Sequence, residues 1–276
     1  MPKIILSLLT FIMMFTAHAN AAKNTTLHIK IMTDFAPQLD NSPQNIATGM
    51  MLKLEQQLNG AVSLTFIPAS RLREWQQLHK FTDVCLYNKV KNPEREKNAL
   101  FNRYPIMAFP SNRLVVLNHP ELPKDITLSD AINKHKLIIG ITKGRSYGEK
   151  IDAFIAANSD AFMPLPGTTS ALRLSHMLFQ NKIDAIIEYS AVFISRHSKD
   201  PRMSNIRYLT INKVEQAIFG YIACSPSKEG KKAINLFDTA LQEPSIFKDI
   251  IDLHKAAFPH TEQAVLIRAL EKAYKQ

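Results

Sequence analysis

Apolar and polar positions alternate along this chain in two rhythms. Residues 27–32 place Leu27, Ile29 and Ile31 on one face, a period of two that predicts a strand. Residues 49–58 place Met51, Leu54 and Leu58 on one face at helical spacing, and Asn59-Gly60 supplies the stop. Residues 62–67 predict a second strand. Ser70 then stands where an N-cap belongs, ahead of a helix whose stripe is Leu72, Trp75 and Leu78. Residues 82–87 predict a third strand, and the Phe101–Pro110 stretch is aromatic and marked by prolines. A second series follows. It has strands over 113–117, 136–142, 183–187 and 206–211, with helices starting at Ser129-Asp130 and over 146–157, 170–180 and 191–196. Residues 217–224 form one more strand, and 227–274 read as helices broken near Pro244 and Pro259.

Such strand–helix–strand alternation predicts an α/β fold with largely parallel sheets covered by helices on both faces. Three strands precede residue 110, a second group runs to about 213, and a strand returns before the C-terminal helices. That layout predicts two lobes joined by two crossovers, near 108–113 and 214–220. Lobe 1 takes 22–110 plus 221–276, and lobe 2 takes 111–220. No internal repeat or low-complexity tract interrupts the pattern.

The first 21 residues follow a different logic. Lys3 gives a basic start, residues 4–15 are apolar apart from Ser7 and Thr10, and Ala17-His18-Ala19-Asn20-Ala21 offers small residues to a signal peptidase. This is the pattern of a secretory signal peptide cut after Ala21, with Ala19 as the second choice. The apolar stretch falls short of the roughly 20 residues a spanning helix needs. The expected location is therefore the periplasm. The whole chain carries 34 basic and 24 acidic residues, a net +10, and loss of Lys3 leaves +9. Export argues against nucleic acid as the partner of this positive charge; a solvated basic surface or a site for anions accounts for it.

Candidate chemistry is sparse. No Cys/His set has zinc spacing, and no cofactor motif is present. Cys85 and Cys224 each lie in a strand-like run, in a compartment where they either form a disulfide or stay as two buried thiols. Gly144-Arg145-Ser146-Tyr147-Gly148 matches G-x-S-x-G between a strand and a helix, the setting of a hydrolase nucleophile. Asp184 or Glu188, then His254 or His260, follow in hydrolase order. Against that reading, no His-Gly-Gly segment supplies a second oxyanion donor. Ser146-x-x-Glu149 also reads as a capping box, and the glycines admit a ligand anion to the helix start.

Four segments, taken in order, resemble the bacterial extracellular solute-binding proteins of family 3, the amino-acid-type periplasmic binding proteins. Thr33-Asp34-Phe35-Ala36-Pro37 is similar to the family's loop with a ligand-stacking aromatic, which places Phe35 in that role or in the core. Thr82-Asp83-Val84-Cys85-Leu86, with Asn92-Pro93-Glu94-Arg95-Glu96 and Phe101-Asn102-Arg103-Tyr104-Pro105, is similar to its strand, T-x-E-R-x turn and F-S-x-P-Y segment. That places Arg95 on the family's carboxylate-binding arginine, the bland alternative being a solvated basic residue. Gly140 to Gly148 is similar to the second-lobe turn whose Ser, here Ser146, meets the carboxylate from the other side. Lys182 to Tyr189 is similar to the G-x-x-D-A strand that leads to a ligand-facing acid.

The chain departs from the family at two places. The acid's position holds Tyr189, with Glu188 one residue earlier, and a one-residue shift turns a strand side chain to the other face. Tyr87 and Asn88 stand where serines or threonines are common. Arg71 reads equally as a cleft residue or an exposed helix-start arginine. Convergence of Arg71, Arg95 and Arg145 would imply an anionic ligand such as a dicarboxylate or an acidic peptide-like molecule.

The resemblance implies the two-lobed type II fold and a monomer that binds a small, carboxylate-bearing, amino-acid-like ligand by hinge closure and performs no catalysis. The ligand would be presented to a membrane transporter (an ABC permease). The rivals are a same-fold sensor module acting through a sensor protein and an exported serine hydrolase using Ser146.

Overall fold

The computed structural model describes residues 26–33 and 45–275. Phe35 and the segment read as a signal peptide lie outside the described residues. The first sheet begins with β1 (Leu27–Thr33), α1 (Ile46–Gln57), β2 (Val62–Pro68), α2 (Arg71–Lys80) and β3 (Val84–Lys89). A short helix α3 (Pro93–Glu96), β4 (Leu100–Phe101) and β5 (Met107–Pro110) follow. The chain then enters a second sheet. It contains β6 (Arg113–Leu117), β7 (Asp125–Ile126), β8 (Ile139–Thr142), α4 (Glu149–Ala157), β9 (Phe162–Leu165), α5 (Ser170–Phe179), β10 (Ala185–Glu188), α6 (Ser190–His197) and β11 (Ile206–Ile211). It returns through β12 (Ala217–Cys224) and ends in α7 (Lys228–Leu241), α8 (Pro244–Ala257) and α9 (His260–Tyr274).

The first sheet has the order β2-β1-β3-β12-β4, with β5 also paired to β12; the second has the order β7-β11-β6-β10-β8-β9. Both are mixed. β1 pairs parallel with β2 and β3, and β8 pairs parallel with β9 and β10. The strands that enter or leave a sheet at a crossover run against this direction: β12 against β3, β4 and β5, and β6 against β10 and β11. A strand arriving from the other sheet has no helix to reverse it first, so it pairs antiparallel with its neighbours. This is why the sheets are less parallel than simple alternation predicts.

Each sheet has a core, and the cluster of the first extends to Tyr189, Ala191 and Val192 beside the second. Ile29, Ile31, Met51, Leu54, Ile222 and Phe237 belong to one buried cluster under the first sheet; Leu114, Val116, Ile139, Ala185 and Leu209 belong to another in the second. Cys85 and Cys224 are register partners on β3 and β12, and they form a disulfide across 139 positions of sequence. The crossovers are short: two residues between β5 and β6, and five between β11 and β12. Ser111 donates to the Glu215 carbonyl, which ties the two crossovers together.

Three local expectations are corrected. The Ser129-Asp130 start leads to a single wide turn over Asp130–Lys134 rather than a full helix. Leu72 is 40% exposed and does not share the buried stripe of α2, whose buried residues are Glu74 and Leu78. Ser70 sits at the N-cap position in an extended conformation without a side-chain cap bond.

Candidate ligand cleft between the lobes

The carboxyl ends of β3, β8 and β10 supply residues to one place. Carboxyl ends of parallel strands are where α/β sheets bind ligands. A cavity of about 230 Å³ lies there, between the sheets. Helix α2 turns Arg71, Glu74 and Trp75 to it, a spacing of three and four that defines one helix face. Asn88, Lys89 and Val90 at the end of β3, Arg95 on α3, and Gly220 on β12 complete the first-lobe wall. Gly144, Arg145 and Ser146 after β8, residues 168–172 at the start of α5, and Glu188 and Tyr189 at the end of β10 form the opposite wall.

Of the eight candidate ligand residues in the sequence, Phe35 lies outside the described residues and the other seven line one cavity: Arg71, Asn88, Arg95, Arg145, Ser146, Glu188 and Tyr189. Tyr87 does not. Its hydroxyl turns inward to Thr48 Oγ1 at 2.6 Å and Thr33 Oγ1 at 3.1 Å. Asn88 faces the cavity with a left-handed backbone, φ 54°. A Cβ on Gly220 would stand 2.2 Å from Asn88 Oδ1, so any larger residue there forces Asn88 to shift.

On the second-lobe wall, Glu188 is 3% exposed. It accepts from Arg145 Nη2 at 2.6 Å and from the Tyr189 N–H at 2.9 Å, with Arg196 Nη1 at 3.7 Å. Burial raises the pKa of this carboxyl, but the charge and hydrogen bond of Arg145, the Arg196 charge and the Tyr189 N–H together outweigh burial and bring it down to about 2. The Arg145 guanidinium lies 4.8 Å from the Tyr147 ring centroid and 5.1 Å from that of Tyr189. Burial works against its charge, yet Glu188 raises its pKa. The Tyr189 ring stacks on Phe109 of the first lobe at 4.4 Å and 10°. Because β10 ends at Glu188 and Tyr189 caps α6, both adjacent side chains reach the cavity; strand alternation no longer separates them.

On the first-lobe wall, Lys89 Nζ meets Glu74 Oε2 at 2.5 Å, with both side chains buried. The Arg95 guanidinium lies 4.8 Å from the Trp75 ring centroid. It donates to the Val90 carbonyl at 2.9 Å and, across the cleft, to the Gly144 carbonyl at 3.3 Å. Burial lowers its pKa, while Asp152 on the far lobe opposes that shift. Leu72 closes the same rim: a Cβ on Gly144 would stand 3.1 Å from its Cδ2.

The capping box expected at Ser146 does not form. The N-cap of α4 is Gly148, φ 105°, without a side-chain cap bond. Ser146 Oγ instead donates to Asp152, whose other oxygen accepts from the Tyr147 N–H at 2.7 Å. Two residues, Tyr147 and Gly148, separate Ser146 from the helix, so Asp152 at the end of the first helical turn reaches back to it. This also bears on the nucleophile reading. His254 is buried in the first lobe, where Nε2 accepts from the Ala108 N–H at 3.0 Å and Nδ1 meets the Ile250 carbonyl at 2.6 Å. His260 Nδ1 lies 3.2 Å from Gln263 Oε1. Neither imidazole addresses Ser146.

Sequence reasoning missed Lys89, Glu74, Trp75 and Arg196 as cavity residues. A signal existed for one of them: Trp75 follows Arg71 by four, which puts both on one helix face. Among the described residues, no group of three or more His, Cys, Asp or Glu could hold a metal, and no helix is long and apolar enough to cross a membrane.

No family model and no curated protein matches this chain. Solved structures do. A mutant of ArgBP from T. maritima is 15% identical over 84% of this chain and 94% of its own, with a TM-score of 0.61. An ABC uptake transporter substrate binding protein from Streptococcus pneumoniae with bound histidine is 15% identical over 82% and 91%, with a TM-score of 0.58. A structure describing glutathione import via GshT and the cystine ABC importer TcyBC of Streptococcus mutans is 12% identical over 87% and 99%, with a TM-score of 0.62. The chain thus has the two-lobed type II fold of amino-acid ABC transporter substrate-binding proteins, the fold that its resemblance to family 3 implied.

Proposed function

We propose that this chain is an exported solute-binding protein that captures a small carboxylate-bearing ligand by hinge closure and presents it to a membrane transporter. The supporting observation is the cavity itself, whose two walls come from different sheets and carry Arg71 and Arg95 on one side and Arg145 on the other. Its volume is below the roughly 300–1,000 Å³ typical of drug-sized ligands, which suits a metabolite of a few carbons. The lobes divide at the two crossovers, residues 111–112 and 212–216, and these are the hinge. Lobe 1 is then 22–110 with the return strand and C-terminal helices, and lobe 2 lies between. Cleavage near Ala21 would release the chain to the periplasm. The solved neighbours include arginine-bound and histidine-bound proteins, which supports an acid-bearing ligand.

Closure is a population shift toward the state that the ligand contacts from both sides. Arg95 reaches the Gly144 carbonyl of the opposite lobe, so it both faces the ligand and bridges the rim. The test is a thermal-shift screen of the mature protein against a metabolite library, with small-angle scattering of each hit. The expected result is a raised Tm and a smaller radius of gyration in wild type, and loss of both in Arg95→Ala. Hydrolysis of a hit that vanishes in Ser146→Ala would overturn this reading in favour of an enzyme.

A further inference from the structure

Among the described residues lining the cavity there are five cations, Arg71, Lys89, Arg95, Arg145 and Arg196, and two carboxylates, Glu74 and Glu188. Both carboxylates are engaged by the protein's own cations. Glu74 is met by Lys89 at 2.5 Å, and Glu188 by Arg145 at 2.6 Å with Arg196 at 3.7 Å. An incoming ammonium would have to share each carboxylate with a buried guanidinium or lysine that already holds it. Sharing brings two like charges together in a buried setting, where their repulsion is weakly screened. An incoming carboxylate need break neither pair, because a guanidinium carries five N–H donors and can accept a second acidic partner beside its first.

The site also has an organic character. Trp75, Phe109, Tyr189 and Phe219 line it, and such walls favour a carbon skeleton over a bare inorganic ion. Cations on both walls give each end of a short diacid a guanidinium. Taking the receptor reading above as its basis, we propose that the cleft selects small dicarboxylates and has no requirement for an α-ammonium group. Glu188 serves as the positioning residue that holds Arg145 toward the ligand rather than as a ligand for an amine.

The experiment is calorimetric titration of the mature wild-type protein with three matched sets: succinate and glutarate, aspartate and glutamate, arginine and histidine. The expected result is binding of at least one of succinate and glutarate, no more than tenfold weaker than its amino counterpart, and no binding of arginine or histidine. Tighter binding of aspartate or glutamate by more than tenfold, or any binding of the basic pair, overturns the inference while leaving the receptor reading intact. The same holds if none of the six binds but another metabolite raises the Tm and compacts the protein. Failure of every compound in the library overturns both.

Discussion

Replacing Arg145 by alanine strands Glu188 in a buried site, and the structure sets the size and the pH dependence of the penalty. The pair is 2.6 Å apart, with side chains 11% and 4% exposed. Two charges near 4 Å at an effective dielectric of 20 interact by about 4 kcal/mol. Glu188 is held at about 2 against an ordinary value of 4.5, which corresponds to about 3 kcal/mol of stability at neutral pH. Arg196 stays at 3.7 Å and recovers part of the loss, while the contacts of Arg145 with Tyr147 and Tyr189 are lost as well. The expected destabilisation at pH 7 is about 3–5 kcal/mol, the range for breaking a buried pair.

The pH dependence follows from the sign of each shift. In wild type the folded pKa is depressed, so the stabilisation is complete above 4.5 and is lost as pH falls through 2. In Arg145→Ala, desolvation acts against a weaker countercharge and the carboxyl rises above its ordinary value. The variant therefore sheds its penalty by taking up a proton as pH falls from 7 to 4. Urea unfolding followed by fluorescence of the single tryptophan, Trp75, measures both ends. A loss under about 1 kcal/mol at pH 7, or an equal loss at pH 4 and 7, would refute the reasoning. Arg145→Met combined with Glu188→Met should return most of the loss, because apolar replacement of both partners is often neutral.

Other outcomes follow from single contacts. Gly220→Ala pushes a methyl group onto Asn88 Oδ1, with the Asn88 backbone at 3.2 Å behind it. It should cost about 1–3 kcal/mol, read as a lowered Tm, and should weaken ligand binding, since both residues line the cavity. His197 is packed between Phe179 and Phe193, with burial holding its pKa down at about 4. Its folded form resists the proton that the unfolded form accepts near 6.5, so its contribution is complete above 6.5 and declines toward pH 4. His197→Phe should flatten the stability–pH curve across that window, and an unchanged slope would count against this account.

Much of this architecture is legible in local pattern. Strands 206–211 and 217–224 have the expected bounds, and the C-terminal helices break just before Pro244 and at Phe258-Pro259, because proline cannot continue a helix. β9 escaped detection because Pro164 interrupts its short run, and such a strand is tolerated only at an edge, where it lies. The resemblance brought Arg95, Ser146, Glu188 and Tyr189 to the cleft, but it carried no information about what holds them. The partners of Glu188 stand 43 positions before it and eight after. Asp152 reaches back to Ser146 through a turn whose shape depends on Gly148. Such pairings come from the packing of whole elements, and residue spacing does not encode them.

The Cys85–Cys224 bond has a topological consequence for the cleft. It fastens the strand that leads toward the first crossover to the strand that returns from the second, so the whole second lobe hangs as a loop from a covalently sealed base. A protease that clips an exposed turn of that loop yields two fragments that remain one molecule until a reductant acts. Linking a span of this length also removes about 5 kcal/mol of chain entropy from the denatured ensemble. The stitch therefore joins two strands of the first sheet and places no covalent bond across the cleft.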